Sequence, residues 1–539
     1  MCQKKTKMPK KVLNRSVKKV YRSFCKEKNF KISLPAFRKL RPKDVKPLRC
    51  SHLVQSLCKT CENLRLAVSA VGLSKEVIYK SLCEKTGDYY KKECLWRECE
   101  VCGTSQLKEF LIKNFEGKLR NDVSWQSWQR KDVTKSANKR MVLNTEIGTV
   151  EDVINVITSM AETVPKHLFI AHWQREQFKI IRENVACGQL VLLEDFSENR
   201  RNEHTNEVSD AHWSYSQCTL FPAIAWYKCT SCECVAEEAI TVLSDDNKHD
   251  AYAVKEFENA IFQHLRARGL SFNKITLISD GCASQFKSAM PFLHLSDLSM
   301  EGIRVHRQHS GANHGKSRND GEGAVLKTMA SNAVKGGRTV IDNAEQLYNY
   351  LKEEISLTSY SQAPHKNDNH KSRTVLLVQK IPRPTDTKKL RALPGTRKFH
   401  HVIATDKEGE IKARELSCAC SSCLKEEYKS CRNKDYVHHF FLHNLLGAEK
   451  GKSKAICARD DDDITISNNR KKRKCDASGE DKKSKQRKVV LPQDNSEGDS
   501  VSFFNLLKTK LDLSNLYNFF CLLSLQLLYY LCYTCTYFS

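Results

Sequence analysis

Acidic residues are scarce in this sequence: 63 Asp and Glu stand against 89 Lys and Arg, a formal net charge of +26 over 539 residues. That deficit predicts a salt-sensitive attraction to polyanions. Charge alone does not separate DNA, RNA and an anionic membrane, and a solvated basic surface would carry the same balance. An apolar leader is also missing. The opening MCQKKTKMPKKVLNRSVKKVYR is basic and lacks the hydrophobic stretch of a secretory signal. The 24 cysteines are therefore expected in a reducing compartment, where clustered thiols are more often metal ligands than disulfides. No G-x4-G-K-[ST] phosphate loop occurs, so no ATP dependence is implied. No G-x-S-x-G elbow occurs, which disfavours Ser/His/Asp hydrolysis.

What is present divides into seven segments. Residues 1–48 form a basic arm in which Ile32, Leu34, Phe37 and Leu40 fall near helical spacing. It reads as a DNA-binding element or as a solvated basic helix. Residues 49–104 are cysteine-rich: Cys58-x2-Cys61, then Cys94-x4-Cys99-x2-Cys102. The two C-x2-C knuckles are expected to converge on one tetrahedral Zn²⁺, with Cys50, His52, Cys83 and Cys94 as spare ligands. Residues 105–185 read as helical from apolar recurrence at three and four positions, with Trp125, Trp128 and Trp173 in the core.

Residues 186–340 change period. Apolar runs and helical stretches follow in the order strand-strand-strand-helix-strand-helix-strand-helix, which predicts an α/β layered domain on a mixed sheet. By analogy, that order is the one found in RNase H-like nucleases and integrases. Residues 341–440 are an extension that ends in Cys418-x-Cys420-x2-Cys423-x7-Cys431, compact enough for one closed zinc site. Residues 441–500 read as a disordered charged linker whose clusters Arg470–Lys474 and Lys482–Lys488 look like a bipartite nuclear-import signal or a generic basic tail. The apolar tail 501–539, uncharged from Asn515, reads as a mis-predicted terminus or as a membrane or partner-binding segment.

Three carboxylates carry the chemistry. Asp195 closes the apolar run QLVLLE, Asp280 closes ITLIS, and Asp320 opens a helical stretch in NDGEGAVLK. Acids at the ends of neighbouring strands suit two Mg²⁺ (or Mn²⁺) ions roughly 3.5–4 Å apart, clamping the attacking and leaving oxygens of a phosphodiester. Glu322, two positions past Asp320, competes for the third place. Lys287, His314 and Lys316 lie close in sequence and are candidates to neutralise a phosphate, unless they only satisfy their loop. Gly315, Gly321 and Gly323 would permit close backbone approach to DNA. His204, His212 and Trp213 read as packing residues.

A series of pieces then resembles one family. In order, LRPKDV, CKTCENLRL, CLWRECEVCG, FSEN with AHWSYSQCTLFP, SDDNKHDAYAV, SDGCASQFK, NHGKSRNDGEGAVLK, GTRKFHHV and SCACSSCLKEEYKSC are similar to the transposon-derived, DDE/D-type transposase-like proteins of fish, cnidarian and insect genomes. The resemblance covers roughly residues 35–440. It implies an RNase H-like core in which Asp195, Asp280 and Asp320 match the family's three acids. It also implies double-stranded DNA as partner, cleavage and strand transfer as chemistry and a homo-oligomer as assembly, while the import-like clusters point to the nucleus. The chain departs from the pattern at Arg200 and Arg201, where an aromatic is usual, at Ala324, where a glycine is usual, and in the loop RQHSGANHGK. Such departures fit the alternative, a domesticated or decayed transposase that binds DNA and zinc without catalysis.

Overall fold

The computed structural model describes residues 11–446, apart from 13–16, 29–31, 42–44, 47–56, 86, 133–138, 206, 209–214, 233, 316–317, 359, 361–369, 385–389 and 392. Lys316, Cys50, His52, His212, Trp213, the import-like clusters and the apolar tail lie outside the described residues. Among the described residues no helix is long and apolar enough to cross a membrane. The chain divides into two compact units with a boundary between Gln55 and Ser56.

In the first unit, the parallel strand pair β1 (Lys11–Val12) and β2 (Val45–Lys46) accompanies helices α1 (Val17–Lys28) and α2 (Leu34–Leu40). Ser33 caps α2 by accepting the Ala36 N–H, and a proline in the first turn leaves no helical hydrogen bond unmade. Val20, Phe24, Phe37 and Val45 bury a small core. Of the four apolar residues at helical spacing, Phe37 is the one fully inside.

The second unit begins with α3 (Lys59–Ala70), α4 (Lys92–Leu95) and α5 (Thr104–Asn114). A hairpin follows, β3 (Asp122–Asp132) and β4 (Lys139–Thr149), then α6 (Val150–Ala161) and α7 (Val164–Glu183). The hairpin corrects the helical expectation for residues 105–185. Trp125 and Trp128 mimic helical spacing, but Val123, Trp125 and Ser127 alternate with exposed Ser124 and Gln126, the period of a half-buried strand. Thr149 ends the hairpin and starts α6 with a capping box: its hydroxyl accepts from Asp152 N, and Asp152 Oδ2 accepts from Thr149 N at 2.8 Å.

The remaining elements are β5 (Gln189–Glu194), β6 (Arg200–Arg201), β7 (Gln217–Lys228), β8 (Val235–Ser244), α8 (Ala251–Ala267), β9 (Lys274–Ser279), α9 (Ala289–Met300), β10 (Arg304–His309), α10 (Arg318–Lys335), α11 (Ala344–Ser356), β11 (Lys371–Leu377), β12 (His401–Ala404), β13 (Glu410–Arg414), α12 (Ser421–Leu424) and β14 (Phe441–Asn444). They build a mixed sheet in the order β11-β8-β7-β5-β9-β10-β12-β13-β14, with β6 paired to β7. β5, β9 and β10 are parallel, while β7 runs antiparallel between β5 and β8. Residues 341–440 are woven into this sheet, β11 along β8 at one edge and β12–β14 beyond β10 at the other.

Both faces are covered, which explains the continuous apolar runs. Leu190 and Leu192 pack with Phe257 and Ile261 of α8 and Phe292 and Leu295 of α9. Val191, on the opposite face, packs with Ile181 of α7, and Leu220 and Leu243 pack with Leu326 of α10 and Leu351 of α11. Each such fully buried side chain contributes about 1.5–3 kcal/mol of transfer free energy. The protein is therefore mixed α/β with a mixed sheet, as expected.

Candidate active site and metal centres

Parallel pairing fixes the first two acids. In the β5–β9 register Leu193 stands opposite Ile278, so two residues on, just past the ends of these strands, Asp195 stands level with Asp280. The third acid arrives by helix docking. Asn319, buried in the first turn of α10, donates to the carbonyl of Leu193 at 3.1 Å. Gly323 faces the segment after Asp195 so closely that a Cβ there would lie 2.6 Å from Ser197 Oγ. These two contacts bring Asp320 to the strand ends, where its charge acts on Asp195.

Burial, the charge of Asp280 and the charge of Asp320 together push the Asp195 carboxyl up to about 7. Burial also raises Asp280, opposed by the N–H of Cys282 (2.9 Å to Oδ1) and by the Lys287 ammonium. Converging, half-desolvated carboxylates of this kind are hard oxygen donors whose repulsion a divalent cation relieves.

Other candidates are placed differently. Glu322 is engaged by Arg373 of β11, whose Nη2 lies 3.0 Å from Oε2. Two positions on a helix are about 200° apart, so Glu322 and Asp320 face different ways. Lys287 is not a surface phosphate contact: it is buried, packs over Gly281 and donates to the Arg397 carbonyl at 3.2 Å. Burial lowers its ammonium to about 8 against the pull of Asp280, making it an internal countercharge. Glu194, beside Asp195, is held well above the ordinary carboxyl value by burial and by nearby Glu258.

Asp195 and Asp280 open into a cleft of about 360 Å³ that α7 borders with Arg175, Glu176, Lys179 and Arg182, and α10 with Arg318. Arg175, Lys179 and Arg182 recur at four and three positions and are exposed, so they form one basic helical face. Arg318 is ion-paired with Glu237. This basic wall had a sequence signal in that spacing, but it lies within a helix otherwise dominated by apolar periodicity.

Among the described residues, cysteines gather, two groups with histidine, in four groups whose ligand atoms lie within 4.8 Å of one another. Cys83, Cys94, Cys99 and Cys102 form one, with Cys83 and Cys99 Sγ 3.8 Å apart. Cys418, Cys420, Cys423 and Cys431 form another, wholly buried, with Sγ separations of 3.6 Å (Cys418–Cys431) and 3.9 Å (Cys420–Cys431). Cys58 and Cys61 do not join the Cys99 knuckle as expected. They meet His167 of α7 and His314 of the β10–α10 loop. The two knuckles are separated because Cys58 and Cys61 open α3, whereas Cys94–Cys102 fold back around Cys83. His314 is thus a candidate metal ligand as well as a neighbour of Asp280. The fourth group, Cys229, Cys232 and His370, sits at the β7–β8 turn. Its C-x2-C spacing is visible in the sequence, but its histidine lies far along the chain.

A tetrahedral zinc with Zn–S of about 2.3 Å and Zn–N of about 2.0–2.1 Å gives ligand-to-ligand edges of about 3.3–3.8 Å. The thiol separations match that edge length, so these cysteine-rich groups are able to hold a metal ion such as zinc.

Residues 174–417 match a family described as a domain of unknown function (DUF8701), and residues 1–48 match a second domain of unknown function (DUF8699). The first match spans all three acids and ends just before Cys418. No curated protein and no solved structure matches the chain.

Proposed function

We propose that this chain is a transposase-like protein with an RNase H-like core that cleaves and joins phosphodiesters of double-stranded DNA with divalent metal. The observation that carries the reading is the convergence of Asp195, Asp280 and Asp320 at the ends of two adjacent parallel strands and a docked helix. In this reading Asp195 and Asp280 hold the metal and Asp320 completes the site. Bound Mg²⁺ or Mn²⁺ would activate a water or a DNA 3′-hydroxyl and stabilise the leaving oxygen. Asp195 must release its proton for this, which a cation beside it favours. Lys287 stabilises the charge on Asp280 from inside, and Arg175, Lys179 and Arg182 attract the phosphate backbone. The order of five strands, β8-β7-β5-β9-β10, with helices after β8, β9 and β10, supports the RNase H-like assignment. The import-like clusters support a nuclear location, and oligomeric assembly follows from the resemblance alone.

The test is a Mg²⁺- or Mn²⁺-dependent nicking and strand-transfer assay on the full chain, beside Asp195→Ala and Asp280→Ala. Each substitution is expected to lower the rate on the order of 10³-fold or more. Activity that survives either one would refute the site. DNA binding without any cleavage would support the domesticated, non-catalytic alternative.

A further inference from the structure

We propose that a zinc ion bound by Cys58, Cys61, His167 and His314 is a positioning centre that clamps the β10–α10 loop against the acidic cleft. The ligands come from three places: the start of α3, the first turn of α7 and the loop itself. Cys58 Sγ lies 3.2 Å from His167 Nε2, Cys61 Sγ lies 3.4 Å from His314 Nε2, and the two Nε2 atoms lie 3.0 Å apart. Two imidazole nitrogens and two thiols facing one point at these spacings supply the four ligand atoms that a tetrahedral ion takes.

The loop needs such a clamp. Residues 310–315 read Ser-Gly-Ala-Asn-His-Gly, and the lone methyl side chain, Ala312, is exposed. Burial of apolar area therefore cannot order it. Yet it is held at both ends with no room to spare. A Cβ on Gly311 would fall 2.7 Å from the Ala171 Cα of α7, and a Cβ on Gly315 would fall 2.9 Å from the Asp280 Cβ. His314, next to Gly315, is the loop's ligand, so the ion ties α3 and α7 to the residue that touches Asp280. Releasing the ion frees the wall of the cleft without removing any carboxylate.

The zinc assignment stands without the nuclease reading, because its readouts are zinc content and hydrogen exchange. His167→Ala and Cys61→Ser, on separate elements, are each expected to lower zinc by one ion per chain. In both, exchange in residues 307–318 is expected to rise at least about tenfold while β7 stays protected. Zinc content equal to wild type in either variant would overturn the site. Loss of zinc with unchanged exchange in the loop would overturn the clamp. Should a variant fail to fold, wild-type protein depleted with a zinc chelator gives the same exchange comparison, and an unchanged loop there overturns the clamp equally.

Discussion

The thiols of Cys418, Cys420, Cys423 and Cys431 come from one short segment and are all buried, packed with Trp173, Phe169 and Leu416. Cys58, Cys61, His167 and His314 come from distant parts of the chain, and all but Cys58 are half-buried. The first group can form from local chain geometry and then seeds a core of its own. The second exists only once α3, α7 and the β10–α10 loop have docked. One is a building block of the fold, and the other is a device laid over a finished fold.

The largest expected effect tests that contrast directly. Cys420→Ser or Cys423→Ser leaves unpaired groups inside a buried cluster and should cost several kcal/mol, lowering Tm on the order of 10 °C in calorimetry. Cys61→Ser should lower Tm far less. Equal losses would erase the distinction between the two centres.

Next comes a substitution that separates the dispersed centre from the acids beside it. Gly315→Ala places a methyl against the Asp280 Cβ, where the chain cannot yield cheaply. Misplacement of about 1 Å costs roughly a hundredfold in rate, so Mn²⁺-dependent cleavage should fall by that order while zinc content holds. Cleavage at the wild-type rate would show that the loop does not set the position of Asp280.

A smaller effect concerns the acids themselves. Asp195 is raised in the folded protein to about 7, above its ordinary carboxyl value. Between about pH 4 and 7 the folded state keeps a proton that the unfolded state has lost. Its contribution to stability is therefore full at the acid end and is lost as pH rises through 7. Without divalent metal, Asp195→Asn should raise Tm by a few degrees at pH 8 and leave it unchanged at pH 4. A Tm gain of the same size at both pH values would place the effect elsewhere. The smallest effect is at the basic wall: Arg175→Ala or Lys179→Ala should each reduce the slope of log K for DNA against log salt by about one. An unaltered slope would remove α7 from the interface.

Much of the acidic site was legible. Each of the runs QLVLLE and ITLIS ends in its aspartate, and two parallel neighbours must place those aspartates together. What sets Asp320 apart from Glu322 was not legible, because it depends on Asn319 reaching the Leu193 carbonyl and on Arg373, some fifty residues later, pairing with Glu322. Lys287 read as a substrate contact because lysines are ordinarily exposed, and only the fold shows it packed over Gly281. His167 was hidden in α7, where it is one of two histidines and nothing local marks it as a ligand. The β3–β4 hairpin was hidden by Trp125 and Trp128, whose spacing of three suits a helix and on a strand puts them on opposite faces.

The dispersed centre also orders events in time. Its four ligands meet only after segments separated by more than a hundred residues have closed, and such long-range closure is the slow part of folding. β11 must likewise return to β8, across α10 and α11, before Arg373 can reach Glu322. High-affinity zinc capture at His167 and His314 should therefore be a late event, following the main collapse of the sheet.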